Sequence, residues 1–549
     1  MKKYISKSGI KMIFLLGTIV LISACKKDVD QPTDVARSFK PSDVKISASA
    51  TSAKLTWTAP LMSTGKALKY SIDFSTDSLF SNVKYSTTSD TTGVSVTEDN
   101  LSVRTKYFAR IKANATETQP ESKYLVSSSF QLTGIQLFLP VRDSEIKETG
   151  ITLRYTPTVG LTSIVLTPAT GTAITATLSP TDAAAGLKAI TGLTAGIKYT
   201  AELFAGTKSK GISTFTTQLP TTYSIKISPS DDLAATITAA ANGAVIGLNP
   251  GTYNLTAAVT FITQKTITLK STSGNATDTK INYKEFDLEG TGAGLTLSGL
   301  ELDGTIGASP YFINLIGSQA NVAAAATFTN ILIDNCIAHG STTAFLRGDR
   351  GAAIKDFKIT AITVNNSIVY DMGNNGTSTY YTFNITKLQF NTLTVSKSTL
   401  YNCGPGLVLS STPFVGDQTP TVLISYSTIN AFGGSSKYAL LDAATNPINF
   451  SIQNSILANT PKSGTVNAAA IRGTGAGSSI TISNTNYFNL NSALTSGTAL
   501  TFGPATLSVT QQQNLGWTPT TTDFTLPVGS TLRTSSTTGT AIGDPRWAL

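Results

Sequence analysis

Arg347, Asp442 and Arg472 each close a short apolar segment, in AFLRG, YALLDA and AAIRG, and Lys387 follows the similar segment TFNIT. Two arginines and a lysine presented together suit anions, because such cations hold a carboxylate by charge-assisted hydrogen bonds without reacting with it. They act as bases only where the pKa is lowered and the proton to be removed is within hydrogen-bond reach. Tyr380 and Tyr381 add aromatic faces of the kind that stack on sugar rings. Alternation along a strand decides which side chains are offered. Taking the residue before the last polar position as inward puts Leu346, Leu409, Leu441 and Ile471 in a core. Arg347, Ser410, Asp442 and Arg472 then face solvent on one sheet, with Lys387 beside them.

Other chemistries find less support. Calcium needs several converging oxygens, and the acids are spread out. Glu285, Asp287, Glu289, Glu301 and Asp303 fall in one stretch, and Asp349, Asp356 and Asp371 in another. They read as solvated surface, which leaves calcium the one cofactor still open and no other metal. Paired or triple aspartates on adjacent units, as polygalacturonase-type hydrolysis requires, are not evident. His339 is the single histidine, with no partner in view for a Ser-His-Asp triad or a zinc site. Cys336 and Cys403 lie two repeat units apart, at least ~9.6 Å if units are spaced like strands. A disulfide needs Cα atoms within about 7 Å, so both cysteines read as small buried apolar groups. The Arg347-Gly348-Asp349 tripeptide is explained by chance, and the glycine-rich stretches lack the ending of a phosphate loop.

The elements that must position these residues are written as a repeat. A nine-residue pattern recurs as LTLSGLELD, ILIDNCIAH, ITVNNSIVY, LTVSKSTLY, VLISYSTIN, FSIQNSILA and ITISNTNYF. The third residues, Leu297, Ile333, Val364, Val395, Ile424, Ile452 and Ile482, are 36, 31, 31, 29, 28 and 30 positions apart. Apolar residues alternate, turn a corner and alternate again within each copy, which is strand periodicity on either side of a bend. One chain coiling in this way is a right-handed parallel β-helix with the apolar column inside. About nine turns are expected at ~4.8 Å each, with TDFTLPVGS and AIGDPRW covering the open end. Asn335, Asn366, Asn454 and Asn484, each two places past an anchor, fit left-handed corners whose amides bond from turn to turn.

Towards the N-terminus, four lysines precede and enter an apolar run from Met12 to Ile22 that ends in Ser23-Ala24-Cys25. This order is a secretory leader, short for a membrane span. The small residues before Cys25 resemble a bacterial lipobox, which implies that Cys25 bears the lipid. Lys26-Lys27-Asp28-Val29-Asp30 is similar to the charged tract of surface lipoproteins of the Bacteroidota, implying an outer-membrane protein exposed at the cell surface. Without the leader lysines the chain has 37 basic and 32 acidic residues, a formal +5, too mild and dispersed for nucleic acid. The expected organisation is leader 1–24, tether 25–38, two sandwiches at 39–132 and 133–220, and the β-helix at 223–549, all-β throughout. Both sandwiches resemble fibronectin type III domains through a Leu-x5-Tyr tyrosine corner. It is Leu101/Tyr107 in the first and Leu193/Tyr199 in the second, where Leu153 and Tyr155 replace the strand tryptophan that the first has in Trp57.

The repeats, the GLNPGTY coil and the GDPRW ending resemble domains of the pectate-lyase-like β-helix superfamily over Tyr223 to Leu549. That resemblance implies a groove along the sheet that precedes the apolar column, on YFINLIG, AFLRG, TFNIT, GLVLSS, YALLDA and AAIRG. Lyases of that superfamily use an arginine or lysine as base, and by position in the pattern, with no family motif matched, Arg347 or Lys387 could fill the role. Three readings stay open. One is non-catalytic capture of acidic, pectin-like polysaccharide through Arg347, Lys387, Asp442 and Arg472. Another is a polysaccharide lyase, favoured over a glycoside hydrolase. The last is a structural or adhesive surface protein.

Overall fold

A computed structural model of the protein describes residues 37–353, 356–373, 379–411 and 418–548. The expected leader, Cys25 and most of the tether lie outside the described residues. The protein is almost wholly β and forms two compact units. One takes the chain to Leu137 with Gly160–Val165 and Glu202–Ile212, and the other takes Phe138–Val159, Leu166–Ala201 and Ser213–Leu549. No described helix is long and apolar enough to cross a membrane.

In the first unit, strand alternation builds a sandwich. Ser52–Thr58 buries Ala53, Leu55 and Trp57 and pairs antiparallel with Ser42–Ala48 and Gly93–Thr97. The second sheet sets Tyr70–Ser75 between Val83–Ser89 and Lys106–Ala113. Trp57 meets Tyr70 edge-on at 5.2 Å, a favoured aromatic geometry. The Tyr107 hydroxyl accepts the Ser102 N–H at 3.1 Å, which is the expected tyrosine corner. The later copy repeats it, with Tyr199 accepting from the Thr194 N–H at 2.9 Å and with Leu153 and Tyr155 buried.

The C-terminal coil has three parallel sheets of twelve, nine and eight strands among the described residues. Each turn visits them in a constant order. The ladder sheet runs from Ile225–Ile227 to Thr506–Ser508, the middle sheet from Gly251–Leu255 to Asn486–Leu490, and the charged sheet from Thr260–Thr263 to Ile471–Gly473. Eight full turns therefore carry all three. Leu297, Ile333, Val364, Val395, Ile424, Ile452 and Ile482 stack in register as one buried column.

The corner after this column is left-handed in every copy. Gly299, Asn335, Asn366, Lys397, Tyr426, Asn454 and Asn484 all have φ between 46° and 65°. Asparagine tolerates that region, but Lys397 and Tyr426 adopt it as well, so stacking imposes the corner on whatever residue is present. The next position forms a buried hydroxyl ladder. Ser367 Oγ accepts the Cys336 N–H, Ser398 Oγ the Ser367 N–H and Ser455 Oγ the Ser427 N–H, at 3.0 to 3.2 Å. Ser398→Ala would strand the buried Ser367 N–H, and we expect a loss of about 1–3 kcal/mol in urea unfolding. An unchanged midpoint would show that the ladder contributes nothing.

Two expectations are corrected. Amide-to-amide bonding does not run along Asn335, Asn366, Asn454 and Asn484. It runs at the next corner, where Asn459 donates to Asn430 Oδ1 at 2.8 Å and Asn489 to Asn459 Oδ1 at 3.1 Å. The first-corner side chains turn to other segments: Asn335 donates to the Gly274 carbonyl and Asn454 to Thr537 Oγ1. Nor does the C-terminal stretch simply plug the end. Leu500 and Phe502 join the core there, whereas Trp517, Phe524, Leu526, Leu532 and Ile542 lie against Ile456, Ala458 and Phe488 of the middle sheet. The outer face of that sheet turns apolar in its last turns and has to be covered. Asp544 of the GDPRW motif, itself buried, accepts from Thr399 Oγ1 at 2.6 Å, and Arg546 reaches the Asn366 carbonyl at 2.9 Å. Cys336 and Cys403 are buried and free, and burial pushes both thiols up to about 12.

Candidate functional site

The charged sheet is built from the segments named from sequence, and its pairing defines one outward row. Asp287, Asn314, Arg347, Asn384, Leu409, Asp442 and Arg472 stand side by side on successive turns. Leu346, Leu441 and Ile471 face the core as expected. The coil containing Leu409 is shifted by one residue: Val408 is the inward residue, Leu409 joins the outward row, and Ser410 is buried. Three consecutive apolar residues, Leu407, Val408 and Leu409, make alternation uninformative there.

Arg347 is the centre of the site. Its guanidinium lies 4.9 Å from the centroid of the Tyr311 ring and 5.4 Å from that of Tyr380, within cation–π range. Asp349 accepts its Nε–H at 2.8 Å, and Asn384 Nδ2 donates to the other Asp349 oxygen at 3.1 Å. The two terminal nitrogens of Arg347 make no hydrogen bond among the described residues. Burial works to lower the Arg347 pKa, but the Asp349 bond and charge outweigh it and hold the guanidinium above its ordinary value. A guanidinium so held keeps its positive charge.

The other candidates are placed differently. Arg472 clasps Asp442 through two bonds of 2.6 and 2.8 Å and lies 4.9 Å from the Tyr438 ring, so Asp442 and Arg472 neutralise each other. Lys387 falls in the turn between Asn384 and Leu388, outside the row. Tyr381 is buried, not exposed, and its hydroxyl accepts the Tyr438 N–H at 3.1 Å.

Sequence reasoning missed the acids at the N-terminal end of the row. Glu285, Asp287 and Glu289 are buried rather than solvated. Glu289 accepts from Thr263 Oγ1 at 2.6 Å and from the Gln319 N–H at 2.9 Å. Burial pushes Glu285 up to about 8, and its hydrogen bond with Asp287 adds to the shift. Asp287, also raised by burial, accepts from Asn314 Nδ2 at 3.2 Å, and Arg350 Nε donates to Asn314 Oδ1 at 3.2 Å. Their i, i+2 spacing was the available signal, since it puts Glu285, Asp287 and Glu289 on one side of a strand. Tyr311 and Tyr438 were missed as well, because register between turns sets them against the two arginines, whereas Asp349, two residues beyond Arg347, read as solvated surface.

Residues 39–128 match the family described as Fibronectin type III domain, and residues 251–403 match Domain of unknown function (DUF4957). No curated protein matches the chain. Among solved structures, a two fibronectin type III domain segment from chicken tenascin is 18% identical, with a TM-score of 0.17, covering 32% of this chain and 97% of that one. The FN1–FN3 domains of chicken CNTN1 are 13% identical, with a TM-score of 0.15, covering 33% of this chain and 69% of that one. The protein thus joins a fibronectin type III domain to a parallel β-solenoid that includes a DUF4957 domain, an architecture that suggests a surface or adhesive protein.

Proposed function

We propose that the chain is a lipid-anchored cell-surface protein, carried on Cys25, that captures acidic, pectin-like polysaccharide along the charged sheet of its β-helix. The observation that supports this reading is the Arg347 site. A guanidinium held charged, flanked by two phenol rings and with terminal nitrogens that make no hydrogen bond among the described residues, offers a carboxylate a fork and a sugar ring two faces. The resemblance of the repeats to pectate-lyase-like β-helices points to the same sheet. A catalytic reading rests on a separate feature, the buried Glu285–Asp287 pair, because a carboxyl protonated near neutral pH can serve as a general acid.

Retention of the full-length protein in a polygalacturonate affinity gel tests the binding reading. Arg347→Ala should weaken retention by about tenfold or more, the weight of one charge-assisted contact. Arg347→Lys should restore it only in part, since lysine lacks the planar fork. An Ala variant that migrates like the parent would overturn the placement of the site. Appearance of unsaturated product, with or without added calcium, would replace capture by lyase action.

A further inference from the structure

The middle sheet carries a second constellation that the reading above does not use. Its outward row runs Asn254, Asn282, Asp303, His339, Tyr370 and Tyr401 in register, and Lys280 and Glu301 form a neighbouring pair. His339, which had no visible partner in the sequence, meets two carboxylates here. Its Nε2 lies 3.5 Å from Glu301 Oε1 and its Nδ1 3.7 Å from Asp303 Oδ1. The residue is 8% exposed and Nε2 is buried without a hydrogen-bond partner among the described residues. Ring stacking fixes its orientation, at 4.5 Å and 9° on Tyr370, which in turn stacks on Tyr401 at 4.9 Å and 5°.

A second unpartnered atom belongs to Asn282, the neighbour of Asp303 in the outward row. Asn282, 5% exposed, donates Nδ2 to Asn254 Oδ1 on the preceding turn at 2.7 Å. Its Oδ1 is buried and has no hydrogen-bond partner among the described residues. A buried polar atom of this kind is costly unless a partner satisfies it. One ligand atom from each of Glu301, Asp303 and His339 lies within 4.8 Å of the others. Neighbouring ligand atoms around a tetrahedral ion with bonds of ~2.0–2.1 Å are ~3.4 Å apart, whereas direct hydrogen bonds would close to about 2.9 Å. The imidazole-to-Glu301 separation has the former size.

We propose that Glu301, Asp303 and His339, with the Asn282 carbonyl as a further oxygen, form a site for a divalent transition-metal ion of the zinc class. Two carboxylates balance the ion's charge, and an imidazole among oxygens selects such an ion over calcium. Lys280 stands where the cation would bind. Its ammonium lies 2.7 Å from Asp303 Oδ2 and 3.1 Å from Glu301 Oε1, on a flexible stem that can swing out. Thr305 N–H steadies Asp303 Oδ1 at 2.9 Å.

With one histidine in the chain, imidazole coordination reports on a single residue. Full-length protein without an affinity tag, stripped by chelator, is titrated with zinc chloride by calorimetry and by NMR of ring-labelled histidine. The expected result is one ion per chain and displacement of the single imidazole resonance. Asp303→Asn and His339→Asn should each weaken binding by about a hundredfold, and Lys280→Met should tighten it by about tenfold by removing the competing charge. Absence of saturable binding overturns the site. So does binding that leaves the resonance unmoved and is indifferent to Lys280→Met, a pair of readouts that stands even if the ligand variants fail to fold.

Discussion

Replacing Val395 with Asp should abolish cooperative folding of the solenoid turns around it. Val395 is 1% exposed and sits in the middle of the column, paired with Val364 above and Ile424 below. A carboxylate there finds neither water nor a cation, and an uncompensated buried charge costs about 3–5 kcal/mol, a large part of the ~5–15 kcal/mol that holds a domain folded. Each turn of a solenoid is stabilised chiefly by its neighbours, so the damage should spread through adjacent turns as lost protection from hydrogen exchange. Val395→Ala, which removes apolar volume without adding charge, should cost only a fraction as much. If the Asp variant unfolds at the same urea concentration as the parent, residue 395 faces solvent and the column is wrongly drawn.

Stability of the same unit should decline as pH rises from about 5 to 8.5, with Glu285 carrying much of the decline. Its folded-state pKa of about 8 lies above the ordinary carboxyl value of 4.5, so the folded protein keeps a proton that the unfolded chain releases. The unfolded state then binds fewer protons, and stability falls with pH across that interval. The contribution is fully present below the unfolded value and is lost as pH climbs through the folded one. Asp287, raised for the same reason, acts in the same sense. Asp303, lowered from 3.8 to about 2, has the opposite sign, but its loss comes only on acidification below the ordinary carboxylate range. Glu285→Gln keeps the shape and a donor while removing the titration. Melting curves across the interval should therefore be flatter for this variant, and equal slopes for variant and parent would rule out Glu285 as their source.

The sites were legible in unequal measure. Arg347 and its outward face followed from AFLRG because the apolar run of Ala344, Phe345 and Leu346 ends on a charged residue, which sets the phase. GLVLSS, with apolar residues at 407, 408 and 409, left the phase undetermined and the sequence-level choice fell one residue off. Lys387 was grouped with the row by proximity in sequence, but the strand ends at Asn384. The acids from Glu285 to Asp303 read as surface because charge normally signals exposure. Burial was possible here because neighbouring turns bring each acid a donor: Asn314 to Asp287, Gln319 to Glu289 and Lys280 to Asp303.

By itself the sequence determined the all-β class, the tyrosine corners, the parallel coil and the identity of its buried column. Each of these is written in local periodicity, and an apolar position recurring about every thirty residues has few ways to leave water other than stacking on its own copies. The tertiary structure decided which charges meet. Turns of 28 to 36 residues carry loops of different length, so the partner of a given side chain on the next turn is set by strand register and not by any constant spacing. Arg347 between Tyr311 and Tyr380, Arg472 on Asp442, and His339 beside Glu301 and Asp303 all arise across turns, where a contact is fixed only once the backbone hydrogen bonds of both strands are in place.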